Sequence, residues 1–536
     1  MIRYIERQRS IGSAALARTI SILVAIVIVT LSITTTAFGA GYKDAEKAIH
    51  HGEFDRAVDI YRKLLEKDRR DMKARLGISY SLLKLGRFDL AYQQASQAVA
   101  LDPLNARAHA LFGTSLLRSG NFQMCIEEFK TALQFDPKEA LAIAGLSEVD
   151  FYENRSRDSY DKIKLATTLD PDEPDYFYEL GHIASRNEQY NEAANAYQQF
   201  LAIAPLKDQE RRERIRGLVQ FFRYIGTTKL MRVNGAENST VPITLQKYRP
   251  YVDLMINGQG PFKFVLDSGA SLPVVSNETA KKLGLKTIAR GGSARAVGGT
   301  GSFEIVYGFI DSLQLGDVRI DAVPVFFRSL QYASDDDPKL RPAGYLGLSV
   351  LSSFLTTIDY KNQSLILKHN ASLLPLTDPS TEPGSIDIPL RSTNNGLVSA
   401  EARIEGQDPL SFIIDTGATA TALSQAVIDR TPALQKRMEK RKISVVGAAG
   451  ITDNVNVMLV SEMSIANLVE KNLSAPILDF GPINETSGFE QSGILGGDFL
   501  FKFKMTFDLS QMLLRLKPMS TTVEVRQTTG TPEPKP

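Results

Sequence analysis

One stretch of this chain is written twice. INGQGPFKFVLDSGASLPVVS, beginning at Ile256, aligns without a gap on IEGQDPLSFIIDTGATATALS, beginning at Ile404, a shift of 148 residues. Gly258 falls on Gly406, Pro261 on Pro409, Phe264 on Phe412, Asp267 on Asp415, Gly269 on Gly417 and Ser276 on Ser424. The match continues at a shift of 149, with Val297-Gly298 on Val446-Gly447, Tyr345-Leu346-Gly347 on Ile494-Leu495-Gly496 and Thr357-Ile358-Asp359 on Thr506-Phe507-Asp508. A duplication this long constrains the fold to two copies of one lobe. Short alternating apolar runs separated by Gly, Asn and Pro make that lobe β. The turn-rich TDPSTEPGS from Thr377 places a linker at 374–388, between a first lobe over 226–373 and a second over 389–518. The Thr- and Pro-rich tail, 519–536, reads as disordered.

The chemistry sits inside the repeated unit. Asp267 and Asp415 each follow a strongly apolar residue, Leu266 and Ile414, so each carboxylate is delivered at the end of a buried strand, where a charge is costly unless it has a use. Two carboxylates sharing one proton can act as base and acid at the same pH, because their repulsion splits their pKa values. Such sharing makes Asp267 and Asp415 a candidate catalytic acid–base pair. Gly269 and Gly417 let the turn after each aspartate form without a Cβ clash. Ser268 and Thr416 can donate hydroxyl hydrogen bonds across the axis between the copies. Asp359 and Asp508 also repeat but lie in later strands and read as structural; Asp498 faces Ser349 in the first copy.

An apolar strand ending in Asp-[Ser/Thr]-Gly-Ala, followed about 80 residues later by two apolar residues and Gly, resembles the retropepsin-like aspartic peptidases, here over approximately 241–517. The resemblance implies an all-β, double-lobed acid protease fold. It implies that Gly347 and Gly496 belong to strands bracing the aspartate turns from behind. It also implies that the segments holding Gly298, Gly299, Gly447 and Gly450 are flap hairpins closing over a bound peptide, with an ordinary glycine-rich β-turn as the alternative. Retropepsins carry one lobe per chain and dimerise, whereas two lobes in one chain could close a site internally or pair with a second molecule. The copies differ, Asp-Thr-Gly with Ile-Leu-Gly-Gly-Asp against Asp-Ser-Gly with Tyr-Leu-Gly-Leu-Ser, which leaves open that one lobe has become a support. The competing reading is a non-catalytic scaffold whose aspartates cap turns and whose lobes bind extended segments by strand addition.

A second period precedes the lobes. Gly52, Gly86 and Gly120, then Asn154 and Glu188, recur every 34 residues. Ala57, Ala91, Cys125, Ser159 and Ala193 form a parallel series of small residues, and Asp-Pro at 102/103, 136/137 and 170/171 closes the units. This helix-turn-helix pattern resembles the tetratricopeptide repeat, over 41–225, with Asp208 to Tyr224 as a capping helix. The resemblance implies an all-α solenoid whose concave face takes a peptide or protein partner; a plain spacer is the alternative. Cys125 reads as a core residue.

Arg3, Arg7, Arg9 and Arg18 precede the apolar run Ile20 to Ile33, so 1–40 reads as a signal peptide or, through 19–40, an uncleaved membrane anchor. The expected location is outside the cytoplasm, in a bacterial periplasm. Lys plus Arg (62) balances Asp plus Glu (61), which disfavours a nucleic-acid partner. With one cysteine and five histidines, and no HExxH, CxxC, GxSxG or phosphate-loop motif, neither a metal site nor a cofactor is expected. The chain thus reads as a multidomain exported aspartic endopeptidase that hydrolyses peptide or protein substrates and carries a recruiting array.

Overall fold

The computed structural model describes residues 40–299, 301–332, 341–369, 382–519 and 524–525. The expected signal or anchor segment lies outside the described residues apart from Ala40, as do most of the tail and the first part of the linker. Among the described residues no helix is long and apolar enough to cross a membrane.

Eleven helices come first, beginning with a helix over 40–50 and ending with Gln209–Ile225. The positions that set the 34-residue period are the turns inside each pair. Gly52, Gly86 and Gly120 have φ of 71°, 69° and 79°, and Asn154 and Glu188 adopt the same left-handed conformation at 60° and 58°. The small-residue series marks where paired helices touch: Ala57, Ala91, Cys125, Ser159 and Ala193 are all fully buried. Burial pushes the Cys125 thiol up to about 12, which keeps it inert.

Units far apart in sequence meet on the inner side of the array. The Tyr80 hydroxyl donates to Glu173 at 2.6 Å, Lys84 donates to Glu173 at 2.6 Å, and Arg211 from the last helix reaches Asp175 at 2.8 Å. These contacts tie the second repeat unit to the fifth and the fifth to the last helix.

The two lobes meet in one antiparallel sheet. Its strand order is Ile386–Ser392, Leu513–Pro518, Phe503–Asp508, Phe354–Asp359, Ser364–His369 and Asn238–Pro242. The central pair falls on the duplication axis: Thr357 stands opposite Thr506, its own counterpart in the other copy, and the two hydroxyls hydrogen-bond at 2.8 Å. A single apolar core runs through both lobes. Asp359 and Asp508 close the turns after their strands, accepting from the Asn362 and Gln511 N–H groups.

Two boundaries differ from the sequence reading. Strand Ile386–Ser392 starts inside the expected linker, because Ile386, Asp387 and Ile388 complete a ladder with Leu514 to Leu516. The expected disordered tail contributes a two-residue strand, Glu524–Val525, on Leu468 and Val469, and the Met519 N–H donates to Lys502 O. Composition alone does not show an unpaired sheet edge elsewhere that a short segment can complete.

The array is fastened to both lobes. Its last helix lies on strand Thr287–Arg295 of lobe 1. Gly217 meets the backbone there so closely that a Cβ would stand 2.5 Å from Arg290 O, and Phe221 stacks on Tyr307 at 4.7 Å. On the other side Phe489 of lobe 2 enters the repeat core between Phe122 and Tyr152, with ring centres 5.0 and 5.1 Å away. Arg118 donates to Gly488 O at 2.7 Å, and the Glu490 N–H returns a bond to Arg118 O at 2.9 Å.

Candidate active site

Asp267 follows strand Gln259–Leu266, and Asp415 follows Leu410–Ile414. Both strands are wholly buried in their last three residues, so each side chain emerges from apolar surroundings. Behind them run Gly344–Leu346 and Gly493–Leu495, parallel and in register. The Asp267 N–H donates to Leu346 O and the Asp415 N–H to Leu495 O, both at 3.0 Å. Gly347 and Gly496 come next, so close to the aspartate loops that a Cβ would stand 2.6 Å from Leu272 O and 2.4 Å from Ala420 O.

The duplication brings the two aspartates together. A Cβ on Gly269 would lie 2.4 Å from Asp415 Cγ, and one on Gly417 would lie 2.5 Å from Asp267 Cγ. Each glycine thus seats the opposite lobe's carboxyl group, which brings the two carboxyl groups together across the axis. Ser268 and Thr416 link the turns: the Ser268 hydroxyl donates to Ile414 O and the Thr416 hydroxyl to Leu266 O, both at 2.7 Å.

The environments of the two acids are unequal. Burial, and then the neighbouring Asp415 charge, hold Asp267 well above the ordinary carboxyl range. Burial also raises Asp415, but the Ala418 and Gly417 N–H groups donate to its Oδ1 at 2.9 and 2.8 Å and oppose the shift. Asp267 receives one such bond, from the Gly269 N–H at 2.9 Å. The arrangement favours the proton on Asp267 and the charge on Asp415.

The glycine-rich segments are tips of two long hairpins, Thr287–Arg295 with Ser302–Leu315, and Met438–Gly447 with Gly450–Ile465. The tips touch across the lobes. A Cβ on Gly299 would stand 2.7 Å from the Ala449 carbonyl carbon, and one on Gly447 would stand 2.4 Å from Gly298 O. The Gly301 N–H donates to Ala449 O at 3.1 Å, and Gly450 has φ of 129°.

Three side chains near this centre were not among the candidate site residues read from sequence. Asp498 accepts from the Thr421 N–H, the Thr421 hydroxyl and the Phe499 N–H at 2.7–2.8 Å, which ties the strand behind Asp415 to the loop ahead of it. Its lack of an acidic counterpart was visible in the alignment, but its three donors were not. Arg328 and Arg249 stand on the lobe 1 side, and their charges act on Asp267 and Asp415 respectively.

Comparisons with known proteins divide the chain in the same way. A family model described as aspartyl protease matches residues 252–350, and one for the aspartyl protease of gag polyproteins matches 400–502. Two tetratricopeptide repeat models match 48–113 and 174–205. No curated protein matches the chain. Among solved structures, a thermophilic TPR protein of Thermus thermophilus is 20% identical over 34% of this chain and 98% of its own, with a TM-score of 0.30. PilF of Pseudomonas aeruginosa is 19% identical over 36% and 87%, with a TM-score of 0.27.

Proposed function

Because the chain joins tetratricopeptide repeats to two aspartyl protease domains of the retropepsin type, we propose that it is an exported aspartic endopeptidase with its site closed within one molecule. The observation that carries this reading is the mutual seating of Asp267 and Asp415, each carboxyl group resting against the other lobe's glycine. A pair of turn-capping aspartates has no reason to converge in a buried centre, where two like charges repel.

In the proposed reaction Asp415 takes a proton from a water as the water oxygen bonds to the scissile carbonyl carbon, while Asp267 gives its proton to the carbonyl oxygen. The C–N bond of the resulting diol then breaks. The nitrogen takes the proton held by Asp415, and Asp267 recovers its own from a diol hydroxyl. The touching hairpin tips close over the peptide and exclude water. The raised affinity of Asp267 for its proton carries activity above the usual acid range, because the acid partner stays protonated. The repeats recruit protein or peptide, through whatever inner surface the internal ion pairs and lobe 2 leave free. The basic, apolar segment 1–40 supports export.

The test is cleavage of a mixed peptide library by the purified protein from pH 3 to 8, beside folded Asp267→Asn and Asp415→Asn variants. Cutting by the wild type that both variants lack supports the reading. A folded wild type that cuts nothing at any pH overturns it in favour of a binding scaffold.

A further inference from the structure

Several arginines inside this protein are paired with carboxylates. Arg107 bonds Glu139 at 2.8 Å, Arg118 bonds Glu148 at 3.0 Å, and Arg515 bonds Asp387 at 2.7 and 2.8 Å. Some arginines depart from this pattern, among them Arg212, which donates only to backbone carbonyls, and two of them, Arg328 and Arg249, flank the aspartate pair. The Nε atoms of Arg328 and Arg249 are shut off from solvent and have no hydrogen-bond partner. Among the described residues no carboxylate forms an ion pair with either guanidinium.

Their positions explain what they face. Arg328 ends strand Val318–Arg328, with its guanidinium carbon 5.1 Å from the Phe303 ring centre and 5.5 Å from that of Tyr345. Phe303 lies at the start of the outgoing flap strand, and Tyr345 lies one residue before Leu346, whose carbonyl anchors Asp267. Arg328 therefore spans from the flap to the floor of the cleft, beside Asp267. Arg249 follows the turn Lys247-Tyr248, and Tyr248 crosses to lobe 2, packing on Phe501 at 4.5 Å and against Gly497. That contact holds Arg249 at the seam between the lobes. Stacking occupies the faces of the Arg328 guanidinium and leaves its edge for a planar, bidentate acceptor. Burial pushes Arg328 down from its ordinary value, which is the signature of a charge without a full counter-ion.

The second lobe has neither residue. Ser276 pairs with Arg328, whereas its counterpart Ser424 pairs with Leu478. Tyr251 stands opposite Val265 as Ser399 stands opposite Ile413, so the counterpart of Arg249 is Leu397. At these two positions lobe 1 carries arginine and lobe 2 carries leucine.

We propose that the cleft selects peptides with an acidic side chain close to the scissile bond, its carboxylate held by Arg328 with Arg249 beside it. This rests on the peptidase reading for its substrate class but is read out by binding alone. A site built around a buried, unpaired donor rejects a ligand lacking the acceptor more strongly than it rejects a change in size.

The experiment uses the full chain and fluorescence anisotropy with end-capped peptides whose central amide is replaced by a non-cleavable hydroxyethylene, identical except for Glu or Gln at the flanking positions. Tighter binding of Glu peptides by about 10-fold or more is expected, in line with a charge-assisted bond to a buried cation. That preference should fall in Arg328→Gln and Arg249→Gln. Equal binding of Glu and Gln peptides by the wild type overturns the proposal, whatever the variants do. So does preference for a free C-terminal carboxylate over an internal Glu, which would mark a terminus-reading site. A Glu preference in a protein that cuts no peptide sustains the inference while the peptidase reading fails, so the two are separable.

Discussion

Ser268 and Thr416 exchange hydrogen bonds across the axis of the duplication. The Ser268 N–H donates to Thr416 Oγ1 and the Thr416 N–H to Ser268 Oγ, each at 3.0 Å. Both residues are fully buried, so neither N–H has water as an alternative. Truncating Thr416 to Ala strands the Ser268 N–H and the Leu266 carbonyl together. The expected loss is about 2–4 kcal/mol of unfolding free energy, since each buried orphan costs on the order of 1–3 kcal/mol. Urea titration checks this against Thr416→Ser, which keeps the hydroxyl and should lose far less.

Asp267 sets a pH signature. The unfolded chain releases this proton near the ordinary value of 3.8, and the native state holds it to a higher pH. Above the lower point the native state binds the extra proton, so the group's contribution to stability falls as pH rises until the native carboxyl also ionises. Asn has no such proton. The melting temperature of Asp267→Asn relative to wild type should therefore climb as pH rises above the ordinary value of 3.8, while cleavage drops by roughly a thousand-fold. A gap that narrows with rising pH would contradict the assignment.

Phe489 fastens lobe 2 to the repeats with 2% of its surface exposed. Phe489→Ala empties a pocket among Phe122, Tyr152 and the Gly488 backbone, and roughly 3–5 kcal/mol should be lost. Calorimetry should then resolve an array transition below that of the lobes, where the wild type melts as one unit.

Gly217 lets the last array helix reach the first flap hairpin. In Gly217→Ala the new methyl group meets backbone, at 2.5 Å from both Arg290 O and Gly291 Cα, and backbone cannot rotate away. Helix and strand must separate at a cost of about 1–3 kcal/mol. Amide exchange should accelerate in Thr287–Arg295 and stay unchanged in the equivalent strand Met438–Gly447.

Short-range sequence carried much of this architecture. The 34-residue period marked the inter-helix turns because only glycine, or asparagine and glutamate under constraint, stand there at positive φ. The duplicated Asp267 and Asp415 strings marked the converging loops because their neighbours, apolar before and glycine after, are what a buried turn requires. What stayed hidden was tertiary. Arg328 and Arg249 belong to no motif; only their replacement by Leu478 and Leu397 in the second copy hints at them. Gly217, in the interior of a helix where glycine is unfavourable, was a signal with no local explanation. Phe489 reads as an ordinary core aromatic until the repeats are seen around it. The short strand at Glu524 depends on an edge supplied by Leu468, more than fifty residues away.

The docking of the last helix on the first hairpin makes the cleft a double door with one leaf bolted. Thr287–Arg295 buries Ala289 and Gly291, whereas Met438–Gly447 buries no residue at all. In the peptidase proposed above, the lobe 2 leaf is the one free to swing for a polypeptide while the lobe 1 leaf stays in its frame, so threading has a handedness that a symmetric pair of flaps would lack. Arg328 reaches the bolted leaf through Phe303, so its charge stays with the fixed side.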